Sequence, residues 1–209
     1  MRGWCAGAFA VCLLAGPGPA ARAEDTATTA VVRRLNGVLL DTLKQAEALG
    51  YAGRFKLLAP AVGEAFDVDF MAEKSLGAHW KTLTDADQQR WLDVFREFTV
   101  ANYAGNLDRF TGQSFELLGE EAGASETIVV LSRLIIPSGE NVDLNYRLHQ
   151  TTAGWRIADV YLKGTVSELA LRRSDFTSAL ERGDFGALVT SLRGKIADLA
   201  AGRGRRQGA

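Results

Sequence analysis

Cysteine is almost absent from this chain of 209 residues: there are two, Cys5 and Cys12, both near its start. Everything after them is therefore without disulfides, thiol nucleophiles or thiolate metal ligands. Histidine is as scarce, with only His79 and His149. HExxH, the phosphate-binding P-loop, GxSxG and GxGxxG are all missing, so no metal site and no cofactor is expected. Charge of one sign is lacking too. The 24 basic and 25 acidic residues leave a net charge of -1, without the cationic excess that would hold a phosphate backbone, and nucleic acid is excluded as an expected partner. Long apolar runs are missing after residue 23, since even Glu126 to Ile136 is interrupted by Ser132 and Arg133 and falls short of the ~20 residues that span a bilayer.

The start of the chain is different in kind. Met1-Arg2 is a short basic beginning, Gly3 to Ala15 is apolar, and Gly16-Pro17-Gly18-Pro19 breaks the run before Ala21-Arg22-Ala23. Small residues at Ala21 and Ala23 are what a signal peptidase reads, so residues 1–23 are expected to be a secretory leader removed ahead of Glu24. Its removal takes both cysteines with it and shifts the net charge from -1 to -3 through loss of Arg2 and Arg22. The mature protein is expected to be exported, soluble and held together by its core alone.

What remains has clear periodicity. Val31, Leu35, Val38, Leu39, Leu43, Ala46 and Leu49 recur at helical spacing and predict a helix from Ala30 to Leu49, ending at Gly50. Further helices are predicted over Gly53 to Ala65, with a break or kink at Pro60, and over Asp67 to Ala78. Thr84-Asp85-Ala86-Asp87 has the form of an N-cap and an acidic first turn. It opens the most aromatic helix, with Trp91, Phe95, Phe98 and Tyr103 on its stripe and continuation to Leu107 and Phe110. After Gly112 the period drops to two. Phe115 to Glu120, Thr127 to Ile136, Val142 to Gln150 and Trp155 to Lys163 read as strands joined by short turns, hence as an antiparallel meander. Two helices follow, Val166 to Glu181 and Asp184 to Ala200. The expected fold is α+β: a four-stranded antiparallel meander covered by helices, in one domain from 24 to 201, with a disordered Arg/Gly tail over 202–209.

Chemistry is hard to find in this framework. His79 and His149 are expected in surface or capping roles. Asp159, inside the apolar Ile157-Ala158-Asp159-Val160, is the one acid that stands out. It reads either as a structural carboxylate paired with a backbone amide, Arg172 or Arg173, or as the general base of a small pocket enzyme of isomerase or dehydratase type. A non-lipid interaction module is a third reading. Trp80, Trp91, Phe95 and Phe98 are expected in the core.

Several stretches taken together resemble the MlaC/toluene-tolerance family of periplasmic lipid-binding proteins. They are Phe66-Asp67-Val68-Asp69-Phe70-Met71-Ala72, Leu76-Gly77-Ala78-His79-Trp80, the helix from Thr84 to Tyr103, and Gly154-Trp155-Arg156-Ile157-Ala158-Asp159-Val160 with Gly164. The resemblance runs from about Leu57 to Leu192. It departs from the family pattern after the last strand, where Gly164-Thr165-Val166-Ser167 carries an extra residue and Arg172 stands at a tyrosine position, while Arg173 and Phe176 match. That variant is similar to the hopanoid-biosynthesis-associated branch. The resemblance implies a periplasmic, non-enzymatic carrier of a phospholipid or hopanoid between inner and outer membrane. Such a carrier is expected to work as a monomer and to meet membrane-bound transporter components. It also implies an apolar pocket between sheet and helices. On strand alternation and helix period, Val142, Leu144, Tyr146, Leu148, Val160 and Leu162 from the sheet, with Phe70, Leu107 and Phe110 from the helices, are the expected lipid contacts.

Overall fold

In a computed structural model the described residues are 26–137 and 139–203. The expected leader over 1–23 lies outside them, as do residues 204–209 of the expected tail, whereas Gly202 and Arg203 close the last helix through backbone bonds to Leu199 and Asp198.

The helical half begins with α1 (Ala27–Lys44), whose N-cap Thr26 forms a reciprocal capping box with Thr29. It stops short of the expected Leu49. The apolar period runs on into α2 (Ala46–Ala65), but the backbone breaks at Gln45 and leaves the helical region again at Gly50, with φ 58 and ψ -175. A β-branched or bulky residue would be strained there. Pro60, the expected break, stays inside α2. It is exposed, as is Lys56 one turn earlier, so the carbonyl that loses its partner can be hydrated. Next comes α3 (Val68–Leu76), capped by Asp67, then a short 3₁₀ turn (Gly77–Thr82). The long α4 (Asp85–Asn106) is capped by Thr84 as the sequence predicts, and it ends before Leu107 and Phe110.

The sheet is a meander in the order β1 (Ser114–Ala122), β2 (Ile128–Ile135), β3 (Val142–Thr151), β4 (Gly154–Leu162), β5 (Val166–Ser167), with every pair antiparallel. Five strands rather than four are present. Lys163 and Gly164 both have positive φ and turn the chain back, so that Val166 and Ser167 pair with Leu162 and Tyr161 before α5 begins. The remaining edge of β4 is taken by the corner between α2 and α3, where Phe66 bridges Ile157 and the Asp67 amide donates to the Ile157 carbonyl at 2.9 Å. The chain closes with α5 (Glu168–Arg182) and α6 (Phe185–Ala200).

Trp91 and Phe95 of α4 are fully buried and meet Phe176 of α5, with the Trp91 and Phe176 rings edge-on at 5.1 Å. The Trp91 indole donates to the Ala72 carbonyl at 3.0 Å, so this aromatic core leaves no buried donor unpaired. No helix among the described residues is long and apolar enough to cross a membrane.

Candidate functional site

Away from the Trp91 cluster, sheet and helices part to leave a cleft of about 430 Å³. That is within the range of small-molecule sites. Its floor takes residues from four strands: Phe115, Leu134, Leu144 with Tyr146, and Val160 with Leu162. Leu39, Phe66, Met71 and Leu107 add apolar wall from the helical side, and Glu168 and Arg172 of α5 supply its charges. On α4 the facing residues are Thr99, Asn102, Tyr103 and Asn106. That spacing of three, four and seven is one helical stripe, and its residues are polar where a helix packed into a dry core would carry Leu or Val.

Five of the nine residues named from periodicity sit here: Leu107, Leu144, Tyr146, Val160 and Leu162. The other four lie elsewhere. Leu148 has the same facing as Leu144 but is fully buried in packed core. Val142, at the start of β3, is half-buried opposite Leu134. Phe70 packs on the His149 ring at 4.7 Å, and Phe110, in the coil after α4, is 41% exposed and borders a separate crevice beside Leu43 and Arg54. On β3 the period identified the face, but not how far along that face the cleft extends; for Phe70 and Phe110 it did not identify the cleft face.

The electrostatics of the cleft centre on two phenols and one ion pair. Burial pushes the Tyr146 phenol well above its ordinary pKa of 10.0, with the neighbouring Tyr103 adding to the rise. Its hydroxyl reaches Asn36 Oδ1 at 3.3 Å, and Asn36 in turn donates to Ser132 at 3.3 Å. Burial raises Tyr103 likewise, the Arg172 guanidinium pulling it partly back and Glu168 pushing it up. Both phenols are neutral at physiological pH. Arg172 Nε lies 3.5 Å from Glu168 Oε2, one helical turn away.

The residues singled out for chemistry, Asp159 and His149, make contacts that tie the fold together. Asp159 does not line the cleft. Its Oδ1 accepts from the amides of Val160 at 2.8 Å and Leu169 at 3.1 Å, and its Oδ2 from the Ser167 hydroxyl at 2.6 Å. Its cationic neighbour is Arg147, at 3.7 Å, rather than Arg172 or Arg173. The carboxylate thus joins β4 to the start of α5. His149 Nε2 lies 2.9 Å from Asp67 Oδ2, buttressing the aspartate that caps α3. No cluster of three or more residues able to hold a metal ion occurs among the described residues.

The description "MlaC protein" matches residues 33–194, well over half of the chain. The chain belongs to the MlaC family. Among solved structures it is similar to a phospholipid-binding protein from Ralstonia solanacearum in complex with a phospholipid, at 25% identity and a TM-score of 0.72, covering 83% of this chain and 98% of that one. MlaC membership accounts for the combination seen in the sequence, in which individually loose motifs recur in one order. Several of those motif residues now have local structural roles: Asp67 caps α3, Thr84 caps α4 and Asp159 ties β4 to α5.

Proposed function

We propose that this protein is a periplasmic lipid carrier. In this reading it is made with a leader over 1–23, holds the hydrocarbon part of a phospholipid or hopanoid in the cleft between meander and helices, and passes it between membranes through membrane-bound transporter components. The observation that carries the reading is the cleft itself, apolar across four strands and at Leu39, Phe66, Met71 and Leu107, in a member of the MlaC family. The phospholipid held by the Ralstonia protein supports a ligand of the same general kind.

The energetics require such a cleft. A two-tailed lipid exposes roughly 30 methylenes at about 0.8 kcal/mol each, on the order of 24 kcal/mol in water. Transfer from bilayer to apolar cleft is near neutral, so direction must come from partners that bind the loaded and empty forms differently. An enzyme using Asp159 as base is disfavoured because its oxygens are occupied by two amides and a hydroxyl and the residue is not part of the cleft lining.

Mass spectrometry of lipid extracted from the protein, purified from the periplasm of a native-like host, tests the proposal. A stoichiometric lipid is the expected result. A lipid-free protein from that source counts against the carrier.

A further inference from the structure

We infer that the crevice beside Phe110 is the head-group half of the lipid site, and that it receives an ionic, phosphate-bearing head whose hydrocarbon lies in the neighbouring cleft. This rests on the carrier reading above and adds a second, polar compartment to it.

The crevice has a volume of about 650 Å³, and Leu43, Ala46 and Phe110 supply its apolar contacts. The rest of its lining is charged: Lys44, Glu47, Arg54, Asp108 and Arg109. It shares a wall with the cleft. Helix α1 presents Leu39 to the cleft and Leu43 to the crevice, and the coil leaving α4 presents Leu107 to the cleft and Asp108 to Phe110 to the crevice. Four helical residues advance about 6 Å, a step that the glycerol and ester linkage of a lipid spans. The polar stripe of α4 ends at Asn106, beside this boundary. A lipid lying across it meets apolar strands, then amides, then ionised groups, in the order in which its own tail, linkage and head follow one another.

Arg54 is the fixed charge of this compartment. It is only 8% exposed, and it donates from Nε to the Ala104 carbonyl and from Nη1 to the Ala46 carbonyl, both at 2.8 Å. These bonds hold α2 against the last turn of α4, the turn that carries Tyr103 and Asn106 into the cleft. They also set a guanidinium, which stays protonated, in a wall where the field of a charge is stronger than in water. Lys44 and Arg109 are exposed on either side and add mobile cations. Lys44 lies 3.9 Å from Asp41, and both are well exposed, so that pair holds it only weakly. Three cations thus line the crevice with Glu47 and Asp108, which would meet the ammonium of a zwitterionic head. Anchored by its own hydrocarbon, the head is presented to these groups at high effective concentration, so a modest attraction is enough to seat it.

The test uses the mature protein, stripped of carried lipid, and two probes with one apolar body: 1-dodecanoylglycerol and its 3-phosphoethanolamine. Isothermal titration at low salt should show the wild type binding the phosphoethanolamine form about tenfold or more tightly than the glycerol form. Lys44→Gln combined with Arg109→Gln should bring the two within about twofold of each other. Arg182→Gln combined with Lys195→Gln makes the same change of charge in a different hollow, between α5 and α6, and should keep the wild-type ratio. Inorganic phosphate at millimolar concentration, which has no tail to anchor it, should not displace the phosphoethanolamine probe. The wild-type comparison needs no variant to fold. Equal binding of the two probes overturns the head site and leaves the carrier intact, as does a ratio that survives in Lys44→Gln/Arg109→Gln or collapses equally in the control. Displacement by inorganic phosphate overturns it as well and assigns the crevice to the free ion. Failure of both probes on a protein that carries lipid as purified overturns the head site alone. Failure of both on a protein that also carries none removes the carrier reading with it.

Discussion

Leu144 and Leu148 lie on the same face of β3, one pleat repeat either side of Tyr146, yet they inhabit different environments. Leu148 is fully buried, paired across the sheet with Ile128 and Ile157, where the bridge from Phe66 draws the α2–α3 corner down onto β4. Leu144 is half-buried beside Leu162 and looks across the cleft at the polar stripe of α4. Identical side chains on one face of one strand therefore serve packing at one end and containment at the other. The difference comes from the opposite wall: what closes on Leu148 is apolar and near, and what faces Leu144 leaves room.

The largest expected effect breaks this comparison at its packed end. Leu148→Ala should lower unfolding free energy by about 2–5 kcal/mol, through lost transfer energy plus a cavity the surroundings cannot fill. Leu144→Ala should cost under about 1 kcal/mol, because the side chain borders space already. Urea denaturation of both variants without lipid gives the two numbers, and equal losses would mean that the cleft end is packed as tightly as the core.

Next in size is Asp159→Asn, expected to cost about 1–3 kcal/mol. It replaces one acceptor oxygen by a donor facing the Ser167 hydroxyl or the Val160 and Leu169 amides and leaves Arg147 without its counter-ion. Lipid content should be unchanged, since Asp159 is outside the cleft. Tyr146→Phe falls between the two ends in both position and magnitude. Loss of its bond to Asn36 should cost about 0.5–1.5 kcal/mol by the same denaturation measurement, while the ring that lines the cleft is kept.

Much of the fold was legible because local signals agreed with tertiary need. Thr84 announced α4 through its cap, and the alternation of β3 placed Leu144, Tyr146 and Leu148 on one face. The parts that were missed had no local mark. The apolar period passes unbroken through Gln45, so α1 and α2 read as one helix until Gly50. Two residues, Val166 and Ser167, are too few to show a strand period, and Ser167 doubles as the N-cap of α5, which made the whole segment look helical. In the site, the sheet floor was partly readable, but the sequence places the α4 wall too far along, at Leu107 and Phe110, because Thr99, Asn102, Tyr103 and Asn106 are not the apolar residues expected of a lipid pocket. Their common stripe was the available signal. Glu168 and Arg172 likewise stood one turn apart in the sequence, but only folding brings them to the cleft that Leu144 lines.

The smallest expected effect on stability is also the sharpest test of containment. Leu144→Trp adds a large ring on the floor of the cleft. In a filled core the added volume would force side chains off their rotamers and cost about 1–3 kcal/mol. Here the indole can extend into existing space, so the unfolding midpoint without lipid should move little, and burial of its apolar area could even offset the strain. The ring then occupies volume that the hydrocarbon of a lipid would need, so lipid recovered per mole of purified protein should fall severalfold relative to wild type. Leu148→Ala, by contrast, should lose stability while the folded fraction still carries lipid. If Leu144→Trp is strongly destabilised and the folded fraction keeps its full complement of lipid, the assignment of roles along β3 is reversed: Leu144 belongs to the core, and the hydrocarbon is held somewhere this strand does not reach.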